Sequence, residues 1–566
     1  MTSASEHESF AANHVPIVGW LGGYRWGKWL TLDLIAGVSV AALLIPESMG
    51  YAGIAGLPPE VGLYAAPLAL LGYAIFGRST ALIVATSSST AAVSASVIAD
   101  LNSGGNQASA VTLSAALALF TGLVFIAAGL ARLGWVANFM SKTVIEGFII
   151  GLSISIIIGQ LGGLLGIDVS GENSFEKLWD VISQIGGWDR TTTIVGVVSL
   201  ALLFALERFV EKLPAALTVV VLGILYIKVV DPAGVAVVGN IPTGLPDAGI
   251  PSFDSSQIRG LLAGGLAVAL VGFSEGYGAA STFARKYGDR LENDQEFIAF
   301  GASNVGAGLM GGMVVGGSLS KTAANDSSRV KSQMSSVVNA VLVVLTLLFL
   351  APFFEKLPEA TLAAVVIHAV SHPANPRKLA AVRNVVRWEF WLAVVVLVAV
   401  LALDTLPAIV LGMTISVLAL VYRVSFPKAS ELRRDRTTGA FEDHAFHPDA
   451  EPVRDALVYR FEAPLIYANV GAFSDAALRL VDEADPRPRV LVVDCEEMFS
   501  IDFTGAEAFE GLVADMRERE VDVRLARVHS AVLRRLRKSG LIAALGEESV
   551  FTQIEDAVAS GVSSRT

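Results

Sequence analysis

The chain has 566 residues, of which 53% are apolar and only 17% charged, with a formal net charge of −12 and a mean hydropathy of +0.60. That balance departs from soluble averages and assigns most of the chain to a bilayer, while the carboxylates gather in the N-terminal tail, the loops and the segment after about Ser430. The acidic surplus excludes nucleic acid as a partner, and a lone cysteine, Cys495, excludes an internal disulfide.

Residues 1–30 read as a cytoplasmic tail. They lack the positive region and apolar core of a cleaved signal peptide, so the first span is expected to act as the insertion signal. Apolar segments follow near 31–48, 61–76, 109–131, 143–165, 194–211 and 214–231. After a long polar stretch come segments near 260–282, 296–313, 336–353, 359–371, 389–403 and 405–423. Several are shorter than the roughly 20 residues that cross about 30 Å of hydrocarbon, so short, tilted or bundle-buried spans are expected. Pro46 and Glu47 fall within the first span, and a carboxylate at that depth is a candidate functional group.

Two further segments, 81–99 and 314–333, are interrupted rather than continuously apolar, and they occupy matched positions in the two halves. The first runs from a short extended piece, Ala-Leu-Ile-Val-Ala, into Thr86, Ser87 and Ser88. The second passes from Val-Val-Gly and Gly317 into Ser318, Leu319, Ser320 and Lys321. In each, an extended run meets a serine of the kind that caps helices. Such a matched pair is the strongest sequence pointer to a transporter binding site, and it brings the tally to about fourteen spans, seven in each half.

Helix N-termini arriving from opposite sides would offer unsatisfied N–H groups and partial positive charge, which makes an anion site without a metal. Lys321 is expected to add a full charge there. A second carboxylate, Glu275 in Val-Gly-Phe-Ser-Glu-Gly-Tyr-Gly, lies in the span that opens the second half. A carboxylate in low dielectric can carry a proton without further ligands, whereas sodium needs several oxygens. Glu47 and Glu275 are therefore the expected coupling residues, with a proton favoured and sodium as the alternative. Loop charge supports the topology: the loops assigned inside hold Arg78, Arg132, Arg285, Lys286, Arg329 and Arg383 among others, and those assigned outside hold far fewer. Both termini are then cytoplasmic in the cell (inner) membrane.

After Val424 the usage becomes that of a soluble domain. A connector, 426–450, leads into 451–566, where Leu457–Phe461, Val490–Val493 and Val523–Val528 are expected strands and Val470–Ala484 and Gly505–Glu520 expected helices, giving an α/β order. His444 and His447 lie in the connector with no further ligands nearby. Gly311, Gly312, Gly316 and Gly317 lack the ending of a nucleotide loop, and helix packing explains them. No cofactor, metal site, nucleophile or catalytic constellation is expected, which argues against an enzyme.

Ile-Pro-Glu-Ser-Met-Gly-Tyr at 45–51, with Ala-Gly-Leu-Pro-Pro-Glu-Val-Gly-Leu-Tyr at 55–64, resembles the first-helix signature of the SulP/SLC26 anion transporters, with Glu47 where glutamine is usual. Ile-Asp-Phe-Thr-Gly-Ala at 501–506 and Ser-Gly-Leu at 539–541 resemble a STAS domain. The resemblance covers nearly the whole chain. It implies an α-helical membrane protein of fourteen transmembrane segments in 7+7 inverted repeats, about 31–231 and 259–425, with UraA-like core and gate domains filling 31–425 and an α/β STAS domain behind.

The resemblance also implies secondary active transport of a small inorganic or organic anion (sulfate, bicarbonate or a dicarboxylate) by alternating access, in a homodimer, with a cytoplasmic protein as the expected kind of partner for the STAS domain. Three departures from the family pattern bear on the site. Lys321 stands where many members have arginine, the proline often found near Thr86 is missing, and Ala279 stands where sodium-coupled bicarbonate members have a hydroxyl. Phe503 follows Asp502 where the phosphorylated serine of some STAS proteins would sit, which lowers the case for a membrane sensor. Glu47 in place of glutamine argues against an uncoupled channel.

Overall fold

The computed structural model describes residues 15–102, 107–135, 141–210, 213–232, 234–372, 375–403 and 405–562. The chain divides into two compact units with the boundary between Ser416 and Val417.

The first unit is helical, and a helix or strand-and-helix pair occupies every apolar segment that hydropathy selects. A short α1 (Pro16–Gly22) precedes α2 (Trp26–Ile54), α3 (Pro59–Phe76), β1 (Val84–Ala85), α4 (Ser88–Leu101), α5 (Gln107–Leu130), α6 (Lys142–Leu165), α7 (Ser174–Ser183), α8 (Arg190–Phe209) and α9 (Ala215–Val230). The second half repeats the order with α10 (Ile258–Tyr287), α11 (Asn293–Leu309), β2 (Gly316–Gly317), α12 (Leu319–Ser327), α13 (Met334–Leu345), α14 (Ala351–Phe354), α15 (Glu359–Ser371), α16 (Pro376–Val385), α17 (Arg387–Ala402) and α18 (Thr405–Ser425). Two long helices, a two-residue strand and a half-helix thus open both halves. Seven described helices are long and apolar enough to cross a membrane by length and composition, and α9 and α15 are among the shorter apolar ones.

Bilayer-depth backbone that is not helical must find its hydrogen bonds inside the protein. Here buried amide side chains supply them. Asn304 Nδ2 donates to the carbonyls of Phe300 and Val315 while its Oδ1 accepts from Val315 N, each at 3.0 Å. Asn325 Nδ2 donates to Ala81 O at 2.8 Å, and Gln333 Nε2 to Ser79 O at 2.7 Å and Leu82 O at 3.0 Å. An aromatic stack fixes α10 against α5 and α11: Phe273 lies 4.1 Å from Phe297 by ring centroid, and Phe125 lies 5.7 Å from Phe300. Such pairs add about 0.5–1.5 kcal/mol each beyond their buried area.

The second unit holds a six-stranded sheet in the order β4-β3-β5-β6-β7-β8, from β3 (Ala429–Arg434), β4 (Phe441–Asp443), β5 (Ala456–Phe461), β6 (Val490–Asp494), β7 (Asp522–Ala526) and β8 (Val550–Phe551). β5 through β8 run parallel, with α19 (Val470–Glu483) and α20 (Phe503–Glu518) among the helices that cover them. Residues 426–450, read from sequence as a connector, contribute β3 and β4, which pair antiparallel with each other and with β5. Their polar alternation hides them: Leu432 is buried between charged neighbours. Asp502 caps α20 by accepting from Gly505 N at 2.7 Å, leaving Phe503 exposed. Cys495 is buried, which pushes its thiol well up from its ordinary range.

Candidate anion site at the two half-helix ends

The two interrupted segments meet. β1 and β2 pair antiparallel, Val84 opposite Gly317 and Ala85 opposite Gly316, and Ser318 N extends the ladder to Ile83 O at 3.1 Å. Because the strands are antiparallel, the chain leaves them in opposite directions into α4 and α12, so both helices begin at the crossing. The crossing depends on missing side chains: a Cβ on Gly317 would sit 2.5 Å from Gly276 Cα, backbone against backbone. Gly276 therefore allows α10 to bring Glu275 to the start of α4.

Ser87 and Ser318 are the N-caps, their hydroxyls accepting from Thr90 N and Lys321 N, both at 3.4 Å. Ser87 Oγ lies 3.2 Å from Ser89 Oγ, and Ser318 Oγ lies 3.1 Å from Ser320 Oγ, so each end carries a hydroxyl cluster. The N–H groups of Ser88, Ser89, Leu319 and Ser320 lie in first turns, where no intrahelical carbonyl is available to them. Leu319 and Ser320 are exposed, while Thr86, Ser87, Gly317 and Ser318 are buried behind them.

The two carboxylates are placed differently. Glu47 is buried and forms an ion pair with Lys321, Oε2 to Nζ at 2.6 Å, with side chains 3% and 0% exposed. Lys321 Nζ also donates to Thr86 O at 3.1 Å and lies 4.8 Å from the centre of the Tyr51 ring. Tyr51 donates to Glu47 Oε2 at 3.2 Å, and Thr86 donates to Ser48 Oγ at 2.7 Å. The lysine charge is thus tied back to α2, so the half-helix end itself offers N–H groups and hydroxyls. Glu275 is half-buried and accepts from Ser89 Oγ in the first turn of α4. Among the described residues no cation lies in an ion pair with it. Ala279, one helical turn on, is buried and has no side-chain oxygen.

Sequence reasoning did not single out Tyr51, Ser48 or Ser89 as partners. Tyr51 was accessible through its i, i+4 spacing from Glu47 on one helix. Two further deep carboxylates were passed over, and both serve loops. Glu296 accepts from Tyr73 Oη at 2.7 Å and Arg78 N at 3.0 Å. Asp33 accepts from Lys331 N at 2.7 Å and Ser332 Oγ at 2.9 Å. A separate cavity of about 470 Å³, lined by Trp20, Arg78, Asp289, Arg290 and Lys331 among others, contains none of the half-helix residues.

Two opposed half-helices opening at a shared crossing among apolar spans are the arrangement of a membrane transporter. The family model of the sulfate permease family matches residues 30–396, and that of the STAS domain matches residues 447–557. A probable sulfate transporter of Mycobacterium tuberculosis (strain CDC 1551 / Oshkosh) is 33% identical over 535 residues, covering 94% of this chain and 95% of its own. A solved structure of SLC26A9 superimposes with a TM-score of 0.90 at 21% identity, covering 100% of this chain and 95% of that one. The transmembrane domain of a cyanobacterium bicarbonate transporter, BicA, gives 0.60 at 22% identity, covering 70% of this chain and 98% of that one. The chain belongs to the sulfate permease family, as an anion transporter with a C-terminal STAS domain.

Proposed function

We propose that the protein is a secondary active sulfate transporter in which a proton taken up at Glu275 accompanies the anion. The observation that carries this reading is the Glu275 carboxylate on Ser89, in the first turn of α4. A carboxylate there competes with a substrate anion for the same helix N-terminus, N–H groups and hydroxyls. A proton on Glu275 removes that competing charge and leaves no cation stranded, so proton and anion enter together. Glu47 cannot play the same part without stranding the buried charge of Lys321. Ser87, Ser88, Ser318 and Ser320, with the N–H groups of Ser88, Ser89, Leu319 and Ser320, hold the oxyanion. Sulfate is the cargo that the names of the relatives favour.

In this reading fourteen segments form two inverted repeats of seven, the protein lies in the cell membrane as a homodimer, and both termini are cytoplasmic. Alternating access follows from movement of the bundle that carries α4 and α12. The test is uptake of labelled sulfate, bicarbonate and fumarate into proteoliposomes under a proton gradient or a sodium gradient imposed separately. Sulfate accumulation driven by protons alone supports the proposal. Accumulation driven by sodium overturns the coupling, and accumulation of bicarbonate or fumarate in preference to sulfate overturns the cargo.

A further inference from the structure

We propose a divalent transition-metal site formed by Glu207, His368 and His372, outside the anion site and on different residues from it. Glu207 lies in the last turn of α8, His368 in the last turn of α15 and His372 one residue past its end. The i, i+4 spacing sets both imidazoles on one face of α15. His368 Nε2 lies 2.7 Å from Glu207 Oε2 and His372 Nε2 lies 2.8 Å from Glu207 Oε1. One ligand atom from each residue falls within 4.8 Å of the others.

The tautomer supplies the second argument. His372 Nδ1 is 3.1 Å from the carbonyl oxygen of His368. A carbonyl only accepts, so Nδ1 carries the hydrogen and Nε2 of the neutral ring presents its lone pair. That lone pair faces a carboxylate oxygen, which is also an acceptor, and two acceptors at this distance require a cation between them. A proton or a metal ion meets that requirement at His372, and a metal ion alone engages both rings and the carboxylate together. The hydrogen bond from the distal ring nitrogen to a backbone carbonyl is the support that ligating histidines ordinarily have.

Two imidazoles and a carboxylate suit zinc and its first-row neighbours. Tetrahedral bonds of about 2.0–2.2 Å require ligand atoms about 3.3–3.5 Å apart, slightly wider than the present contacts. The side chains of Glu207 and His372 are 45% and 48% exposed and have room to move outward, while His368, at 12%, is anchored with its ring 4.9 Å from that of Phe204. The exposed side leaves a fourth position for water. Ligation would reinforce the link between α8 and α15 already made by Ser199 and Thr361, whose hydroxyls are 3.0 Å apart.

The experiment is a Co2+ titration of the full-length chain, free of any affinity tag, in nanodiscs. One equivalent should develop the visible d–d bands of low-coordinate cobalt, and Zn2+ should bleach them. H372Q and E207Q should each weaken binding by about tenfold or more. Both positions are half-exposed, so the variants leave the packing intact, and monodisperse elution with retained sulfate uptake checks this. Absence of the bands from the wild-type protein, which would mean that a proton alone sits between ring and carboxylate, overturns the proposal. Bands of equal strength in both variants overturn it as well.

Discussion

Glu47 and Glu275 stand at equivalent places in the two halves, each on the first long helix and each reaching the half-helix of the opposite half. Glu47 reaches Lys321 on α12, and Glu275 reaches Ser89 on α4. The first contact joins two opposite charges and is sealed from solvent. The second joins a charge to a hydroxyl and is half-open. A repeated architecture has thus been given two different chemistries by one substitution of type, lysine in the third position of α12 against threonine in the third position of α4. The balanced end holds α2 and α12 together. The unbalanced end can change its charge by one proton, and that difference is where the account places coupling.

The comparison can be broken most severely at the balanced end. Lys321→Met leaves a buried carboxylate with only the Tyr51 hydroxyl, and losing one partner of such a pair costs about 3–5 kcal/mol. Thermal unfolding of the detergent-solubilised protein should fall steeply, and Glu47→Gln added to Lys321→Met should restore most of the loss. Equal instability of the single and double variants would mean that the pair is not what holds the two helices. Gly317→Ala strikes the crossing shared by both ends. Its Cβ meets Gly276 backbone at 2.5 Å, and the overpacking should cost about 1–3 kcal/mol, with sulfate uptake falling alongside the melting temperature.

Smaller changes sharpen the contrast. Ser87→Ala and Ser318→Ala each remove an N-cap and should cost about 0.5–2 kcal/mol. If both helix ends hold the anion, each should also raise KM for sulfate in a concentration series. A KM shift confined to one variant would assign the substrate to that end alone. Tyr51→Phe removes one hydrogen bond from Glu47, should cost about 0.5–1.5 kcal/mol, and should leave the pH dependence of transport where it was.

Much of this arrangement is legible in the residues. Hydropathy locates the spans because a lipid-facing helix must be apolar, and the serines of 86–88 and 318–320 announce helix starts because caps have few chemical solutions. The carboxylates Glu47 and Glu275 stand out for the opposite reason, since charge is rare in such segments. What the sequence conceals is pairing across long separations. Nothing local says that Lys321 turns toward Glu47 rather than toward the opening of α12, or that Asn304, Asn325 and Gln333 serve the strands of the crossing. Each contact joins distant parts of the chain through a fold that no short window contains. β3 and β4 were hidden differently: β3 buries only alternate residues and the edge strand β4 is half-buried throughout, so both look polar, and β5, which pairs with β3, lies downstream.

The central claim is that Glu275 exchanges the coupled proton while Glu47 remains matched with Lys321. Its most direct test compares E275Q with the wild-type protein in proteoliposomes, measuring sulfate accumulation under an imposed pH gradient and sulfate counterflow without one. E275Q is expected to lose gradient-driven accumulation and to keep counterflow. Accumulation at the wild-type level, or loss of both activities together, would contradict it.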